Sequence, residues 1–247
     1  MPTPRFYCPL ALTGLKTVCL PSDTAHHVNV LRLTSGQDII LFDGHGGEYA
    51  CTLRFEGKQA MADIQAHHPR EAELAGRITL VQGLAAADKM DWIIEKSVEL
   101  GVSAIAPVSA RRSVLQLVGP RLEKRMTHWQ RIVQSASEQC GRNRLASLTP
   151  PAPLGSVLDN LGSPPGNLIM ACDPGAPMSL RECLASHAAI QSVTLLVGPE
   201  GGWTPEEMSL AIQKGAISVR FGSRVLRTET AGLSLITAVS TLCGWDY

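Results

Sequence analysis

The stretch Leu195–Glu207, LLVGPEGGWTPEE, sets an apolar strand, a glycine loop and a helix start side by side. Val193, Leu195, Leu196 and Val197 form the apolar run expected of a strand covered on both faces. Gly198, Gly201 and Gly202 free the backbone to turn and let a ligand approach it closely. Thr204 is a natural N-cap, Pro205 suits the first helical position, and Glu207 completes a T-x-x-E capping box. A strand that runs through a tight loop into a helix predicts a βα unit, and hence an α/β domain with a parallel sheet. The loop has neither the spacing of G-x-G-x-x-G nor the Gly-Lys-Ser/Thr of a Walker A motif. Glu200, at its centre, works against a bound phosphate. A neutral or cationic nucleoside-like ligand held by backbone groups suits these residues, and so does a turn whose glycines serve geometry alone.

The same rhythm extends over most of the chain. The strand-like runs ITLVQGL, VSAIAPV, NLIMACD, VTLLVGP and SVRFG alternate with helical patterns. Those are KMDWIIEKSVELG, RLEKRMTHWQRIVQSASEQCG, SLRECLASH, TPEEMSLAIQKGA and TETAGLSLITAVSTLCGW. In the second helix Met126, Trp129, Ile132, Val133 and Ala136 form an apolar stripe that core or subunit packing explains. Ligands of open α/β sheets bind beyond the carboxyl ends of the strands. The candidate site is therefore built from LIMACDPG, LLVGPEGG and RFGSRVLRTET. Residues before about 66 differ: DIILFDG, GEYACTLRF and KQAMADIQAH read as strands and SDTAHHVNVLRL as a short helix capped by serine or aspartate. The polar linker His67–Arg77 separates the two rhythms, so the expected domains are a small β-barrel-like module at 1–68 and an α/β domain at 76–247.

The chain has 247 residues, 45% hydrophobic and 18% charged, with a mean hydropathy of +0.07, which is the composition of a globular protein. No apolar run approaches the roughly 20 residues of a bilayer span, so no membrane partner is expected. The N-terminus lacks the pattern of a secretory signal. Seven cysteines, odd in number and never spaced C-x-x-C, point to a reducing cytoplasm rather than to disulfides or zinc, and no metal is expected.

Formal net charge is zero, but its distribution is uneven. Residues 111–144 contain eight Lys/Arg against two acids, whereas 145–213 contain one against six. Such a segment reads as a phosphate-contacting face or, equally, as a solvated helix surface. Arg224 and Arg227 precede a helix whose expected N-cap is Thr228, where cations oppose the macrodipole. They suit an anion at the site, or an ion pair with Glu229. In ASEQCGRNR a helix ends at Gly141, with Arg142 and Arg144 beyond it as solvated charges or RNA-backbone contacts. Cys140 reads as a partly buried thiol rather than a nucleophile.

Together LLVGPEGGWTPEE, FGSRVLRTETA, EQCGRNR, KMDWIIEKSVELGV and HHVNVLRLTSGQDIILFDG resemble the RsmE family. These are uridine-N3 methyltransferases of small-subunit (16S) ribosomal RNA, within the SPOUT superfamily. The resemblance runs through essentially the whole chain in order. It implies a PUA-like N-terminal barrel that binds RNA, an α/β domain with a deep trefoil knot, a homodimer, and S-adenosyl-L-methionine as methyl donor. Knots are rare exceptions to chain topology, and no periodicity indicates one. The implied cofactor residues are Ala171 in the first loop and Gly198, Pro199, Glu200, Gly201 and Gly202 in the second. In the third they are Phe221, Gly222, Val225, Leu226, Thr228 and Thr230. RNA contacts are implied at Arg32, Arg111, Arg112, Arg142, Asn143, Arg144 and Arg224, with the 16S rRNA or the assembled small subunit as partner.

Uracil N3 carries a proton at neutral pH, so methylation there creates negative charge on the ring oxygens. Arg227 is the expected stabiliser of that charge, with Glu200 or Glu229 orienting it or receiving the proton. Two other readings use the same motifs: a methyltransferase acting on another base or a ribose 2′-OH, and a non-catalytic RNA-binding protein. A phosphotransferase is disfavoured by the absent loop lysine.

Overall fold

The computed structural model describes residues 3–162, 164–187 and 189–245, which divide into two compact units. The first comprises the chain up to Glu73 together with Gln134–Leu145. Its elements are β1 (Arg5–Tyr7), β2 (Thr17–Cys19), α1 (Ser22–Val30), β3 (Asp38–Phe42), β4 (Glu48–Glu56) and β5 (Gln59–His68). They form one sheet in the order β1-β3-β4-β5-β2, with β1 parallel to β3 and the other pairs antiparallel. β1 and β2 are the outermost strands of this order. Alternate side chains of β3, β4 and β5, among them Ile39, Leu41, Leu53 and Ala62, join Phe6, Leu12 and Val28 in its core. Pro21, not Ser22 or Asp23, occupies the cap position of α1, and no side chain caps that helix.

Residues 134–145, expected in the α/β domain, belong to the first unit. Their side chains bind into it. Tyr7 N–H donates to Glu138 at 2.8 Å, and Arg5 bridges Glu48 at 2.6 Å and Asn143 Oδ1 at 2.5 Å. Asn143 Nδ2 donates to the Arg70 carbonyl at 2.7 Å, and Arg142 pairs with Glu73 at 2.5 Å. Burial makes each bond costly to lose, since an orphaned polar group costs about 1–3 kcal/mol.

The second unit comprises Leu74–Val133 and the chain from Ala146 onward. It contains β6 (Arg77–Gly83), α2 (Ala87–Glu99), β7 (Ala104–Val108), β8 (Ser147–Leu148), α4 (Leu154–Leu161), β9 (Asn167–Cys172) and α5 (Leu180–Ala185). β10 (Ser192–Val197), α6 (Pro205–Gln213), β11 (Ile217–Val219) and α7 (Thr228–Leu242) complete it, and α3 (Gly119–Cys140) begins in it. All six strands are parallel, in the order β11-β9-β10-β6-β7-β8, with Leu195 of β10 opposite Leu80 of β6 and Met170 of β9. One sheet face packs Val81, Ile169 and Leu196 against Leu154, Val157 and Ala211 of α4 and α6. Against the other lies α7, which also packs on α2. Coverage on both faces explains why these strands are continuously apolar. Trp129 is fully buried, and its indole N–H donates to Asp91 of α2 at 3.0 Å, fixing α3 to α2. No helix among the described residues is long and apolar enough to cross a membrane.

Candidate active site

The carboxyl ends of β9 and β10 converge on one cavity of about 720 Å³. Cys172, Asp173 and Pro174 close it after β9. Gly198, Pro199, Glu200 and Gly202 close it after β10, and Val225–Thr228 at the start of α7. Trp203 and Met208 supply apolar wall, while Lys89 and Arg112 add cations. A volume of this size lies in the usual range for small-molecule sites. Burial, and then the neighbouring Asp173, push the Cys172 thiol up to about 11, so it is a neutral wall group and not a nucleophile.

A buried amide ties these loops together. Period two along β6 puts Gln82 on the same face as Ile78 and Leu80, beneath α7. Its Nε2 donates to the Gly83 carbonyl and to Thr228 Oγ1, both at 2.9 Å, and Thr228 in turn donates to the Gly198 carbonyl at 2.6 Å. Thr228 is therefore not the N-cap of α7. Arg227 occupies that position, Thr228 is the first helical residue, and its hydroxyl serves the glycine loop. Gln82→Leu keeps the volume and removes both donations. The expected loss is about 1–2 kcal/mol, read from urea unfolding.

The glutamate at the centre of the glycine loop finds two partners at the start of α2. Ala86 N–H donates to Glu200 Oε1 at 3.1 Å, and the Lys89 ammonium stands 3.4 Å from the same oxygen. Lys89 also stands 3.2 Å from Glu229 Oε2. Partial burial alone would raise the Glu200 carboxyl. The amides of Ala86 and of Glu200 itself, with Lys89, outweigh that and hold it below the usual carboxylate range. Glu200 is thus a bound anion and a weak proton acceptor. Pairing with Glu229, then with Glu200, raises Lys89 above the ordinary lysine value. Arg227 and Arg224 are exposed and make no ion pair among the described residues, so Glu229 pairs with Lys89 and not with an arginine.

Several expected site residues lie elsewhere. Ala171 is fully buried inside β9, and its place on the wall is taken by Cys172–Pro174. Gly201 serves packing: a Cβ there would meet the Arg112 side chain at 2.9 Å. Phe221 lines a separate groove with Leu233, Ser234, Thr237, Ala238 and Leu242, and Gly222 and Thr230 are exposed outside the cavity wall. Arg112, expected on RNA, donates to the carbonyls of Gly201 at 2.9 Å and Trp203 at 3.4 Å. Arg142 and Asn143 are 3% and 0% exposed and engaged within the first unit, so neither offers its side chain to a phosphate. Arg32, Arg111, Arg144 and Arg224 are exposed, Arg144 in an ion pair with Glu71 at 3.2 Å. Sequence reasoning missed Lys89 altogether. Its available signal was a cation in the first turn of a helix, the same anomaly that marked Arg227.

Residues 72–240 match the family described as an RNA methyltransferase domain, and 20–61 an RNA methyltransferase PUA domain. The chain belongs to the RNA methyltransferase family. Within it, the chain is similar to ribosomal RNA small subunit methyltransferase E of several bacteria. It is 32% identical to the Synechocystis protein over 92% of this chain and 73% of that one. It is 29% identical to the Bacillus subtilis protein over 91% and 90%. The Neisseria gonorrhoeae methyltransferase E, solved bound to S-adenosyl methionine, superposes with a TM-score of 0.88 at 38% identity, covering 97% of this chain and 98% of that one.

Proposed function

We propose that this protein uses S-adenosyl-L-methionine to methylate N3 of a uridine in the 16S ribosomal RNA of the small subunit. The observation that carries the reading is the cavity at the strand ends, walled by the GPEGG loop and the segment before α7, in a chain of this family. The residues fit the cofactor: backbone-rich loops, apolar Val197, Leu226 and Met208, and the carboxylates Glu200 and Asp173. When bound, the cofactor supplies a methyl group on a cationic sulfur. Gly198, Pro199, Glu200, Gly202 and Leu226–Thr228 would hold it, and Gln82 and Thr228 keep those segments in register.

Arg227 lines the cavity from the cap position of α7, where its guanidinium meets the charge that spreads onto the uracil oxygens as N3 loses its proton. Glu200, held below the usual carboxylate range by the amides of Ala86 and of Glu200 itself and by Lys89, is a weak base for the N3 proton. Glu229 acts through Lys89 rather than through Arg227. The trefoil knot belongs to the same reading, as does a homodimer formed on the groove beside α7, where Leu242 is 46% exposed.

For RNA, the basic half of α3 replaces Arg142 and Asn143. Arg121 and Lys124, one turn apart and exposed, continue the cations begun by Arg111. Removing both, as Arg121→Gln with Lys124→Gln, is expected to flatten the slope of log affinity against log salt by about 1.5. An unchanged slope removes α3 from the RNA surface.

The test of the activity is methylation of small subunits lacking the modification, with labelled cofactor, followed by digestion and identification of the nucleoside. The expected product is 3-methyluridine. A ribose-methylated nucleoside or another base moves the protein to a different specificity, and RNA binding without transfer makes it a binding protein.

A further inference from the structure

α5 and α6 start with complete local capping boxes, Ser179 with Glu182 and Thr204 with Glu207. α2 does not: Ala86 is its N-cap, no side chain caps it, and its third residue is Lys89. In a capping box the third-residue glutamate accepts the N–H of the cap residue. Here Glu200 accepts that N–H at 3.1 Å from a segment remote in sequence, and stands 3.4 Å from the lysine that occupies the glutamate's usual place.

We infer that Lys89 is a positioning residue of the methyl-transfer site: it holds Glu200, which accepts the cap N–H of α2 from a remote chain segment, and through Glu229 it fastens the first turn of α7 to that cap. The inference rests on the cofactor reading above. A cation in the first turn of a helix opposes the macrodipole, so helix stability does not account for Lys89. The residues it joins do. Glu200 lies in the glycine loop, and Glu229 follows Arg227 and Thr228 on the cavity wall. Without the ammonium two carboxylates face each other across the site, and the glycine loop and α7 lose their common anchor.

The titratable and charged groups around the bridge are Asp88 beside Lys89 on α2, Glu200, Glu229 and Arg227 on α7, and Arg112 and Asp173 on the same wall. Glu200 is held low in the folded protein. The bridge is therefore complete above the ordinary glutamate range and is lost as pH falls through the lowered value. In Lys89→Met the opposing charges raise that value, so the acid limb of cofactor affinity moves up by about one pH unit or more.

The experiment compares wild type, Lys89→Met, Lys89→Arg and Lys89→Met/Glu200→Gln by calorimetric titration with S-adenosylmethionine from about pH 3 to 8, at about half-unit steps. Lys89→Met is expected to bind roughly tenfold more weakly at neutral pH, since ångström-scale misplacement of a site is costly. Lys89→Arg restores most of the affinity, and the Glu200→Gln background abolishes the shift of the acid limb. Amide exchange of the unliganded protein reads that cap directly, with Ala86 N–H protected in wild type and exchanging faster in Lys89→Met. Unchanged exchange and an unchanged pH profile in Lys89→Met overturn the inference, as does Lys89→Arg behaving like Lys89→Met. Failure of the wild type to bind the cofactor overturns the functional reading instead, while the exchange experiment still decides the bridge.

Discussion

Arg227→Ala is expected to slow single-turnover methylation by roughly 10²–10³-fold while leaving the fold intact. Removing one donor that meets developing negative charge costs about that much in a preorganised site. Arg227 makes no ion pair among the described residues, so its truncation orphans no carboxylate. Its position at the cap of α7 sets its charge against the helix dipole. The variant should therefore melt at the same temperature or slightly higher, by the equivalent of about 0.3–1 kcal/mol. This opposition of activity and stability separates an electrostatic role from a structural one. Rates and melting temperatures measured on the same preparation check it, and an unchanged single-turnover rate removes Arg227 from the chemistry. Because N3 must lose its proton, the wild-type rate should rise with pH above neutrality.

Gly83→Ala is expected to abolish cofactor binding at concentrations that saturate the wild type. A Cβ on Gly83 would stand 2.4 Å from Pro199 Cδ and 2.6 Å from Pro199 N. The second contact is with backbone, so no rotamer change relieves it and the glycine loop itself must move. Overpacking of this kind costs about 1–3 kcal/mol in stability. A shift of about an ångström in a ligand loop costs up to about a hundredfold in function. Gly155→Ala in α4 is the matched control. Its Cβ meets only Leu210 Cδ2, at 3.4 Å, and a helical glycine gains from the change, so affinity stays constant and stability stays level or rises. Titration calorimetry and thermal melts of the pair settle the point, and equal affinity in Gly83→Ala and wild type contradicts it.

Features decided by nearby residues are legible in the sequence. The capping box of Thr204 and Glu207 spans three positions, and the structure holds both of its bonds, at 3.2 and 2.8 Å. Continuous apolar runs such as Val193–Val197 announced a parallel sheet, because strands covered on both faces have no polar side to display. α4 and β8 were missed. The first is a short helix led by Pro153 without a side-chain cap, and the second is only two residues long.

The site divides along the same line. LLVGPEGGWTPEE by itself determined a strand, a ligand-compatible loop and a helix, and its glutamate argued against phosphate. What that glutamate does was decided only by folding, which brings Ala86 and Lys89 to its carboxylate from more than a hundred residues earlier. Arg142 and Asn143 likewise have the composition of an RNA contact, and their burial comes from Glu73, Arg5 and Arg70, also remote in sequence. Short-range hydrogen bonds and burial patterns are written into neighbouring side chains. Whether a charged group meets solvent, a ligand or an opposite charge depends on which distant segments the packed core brings to it.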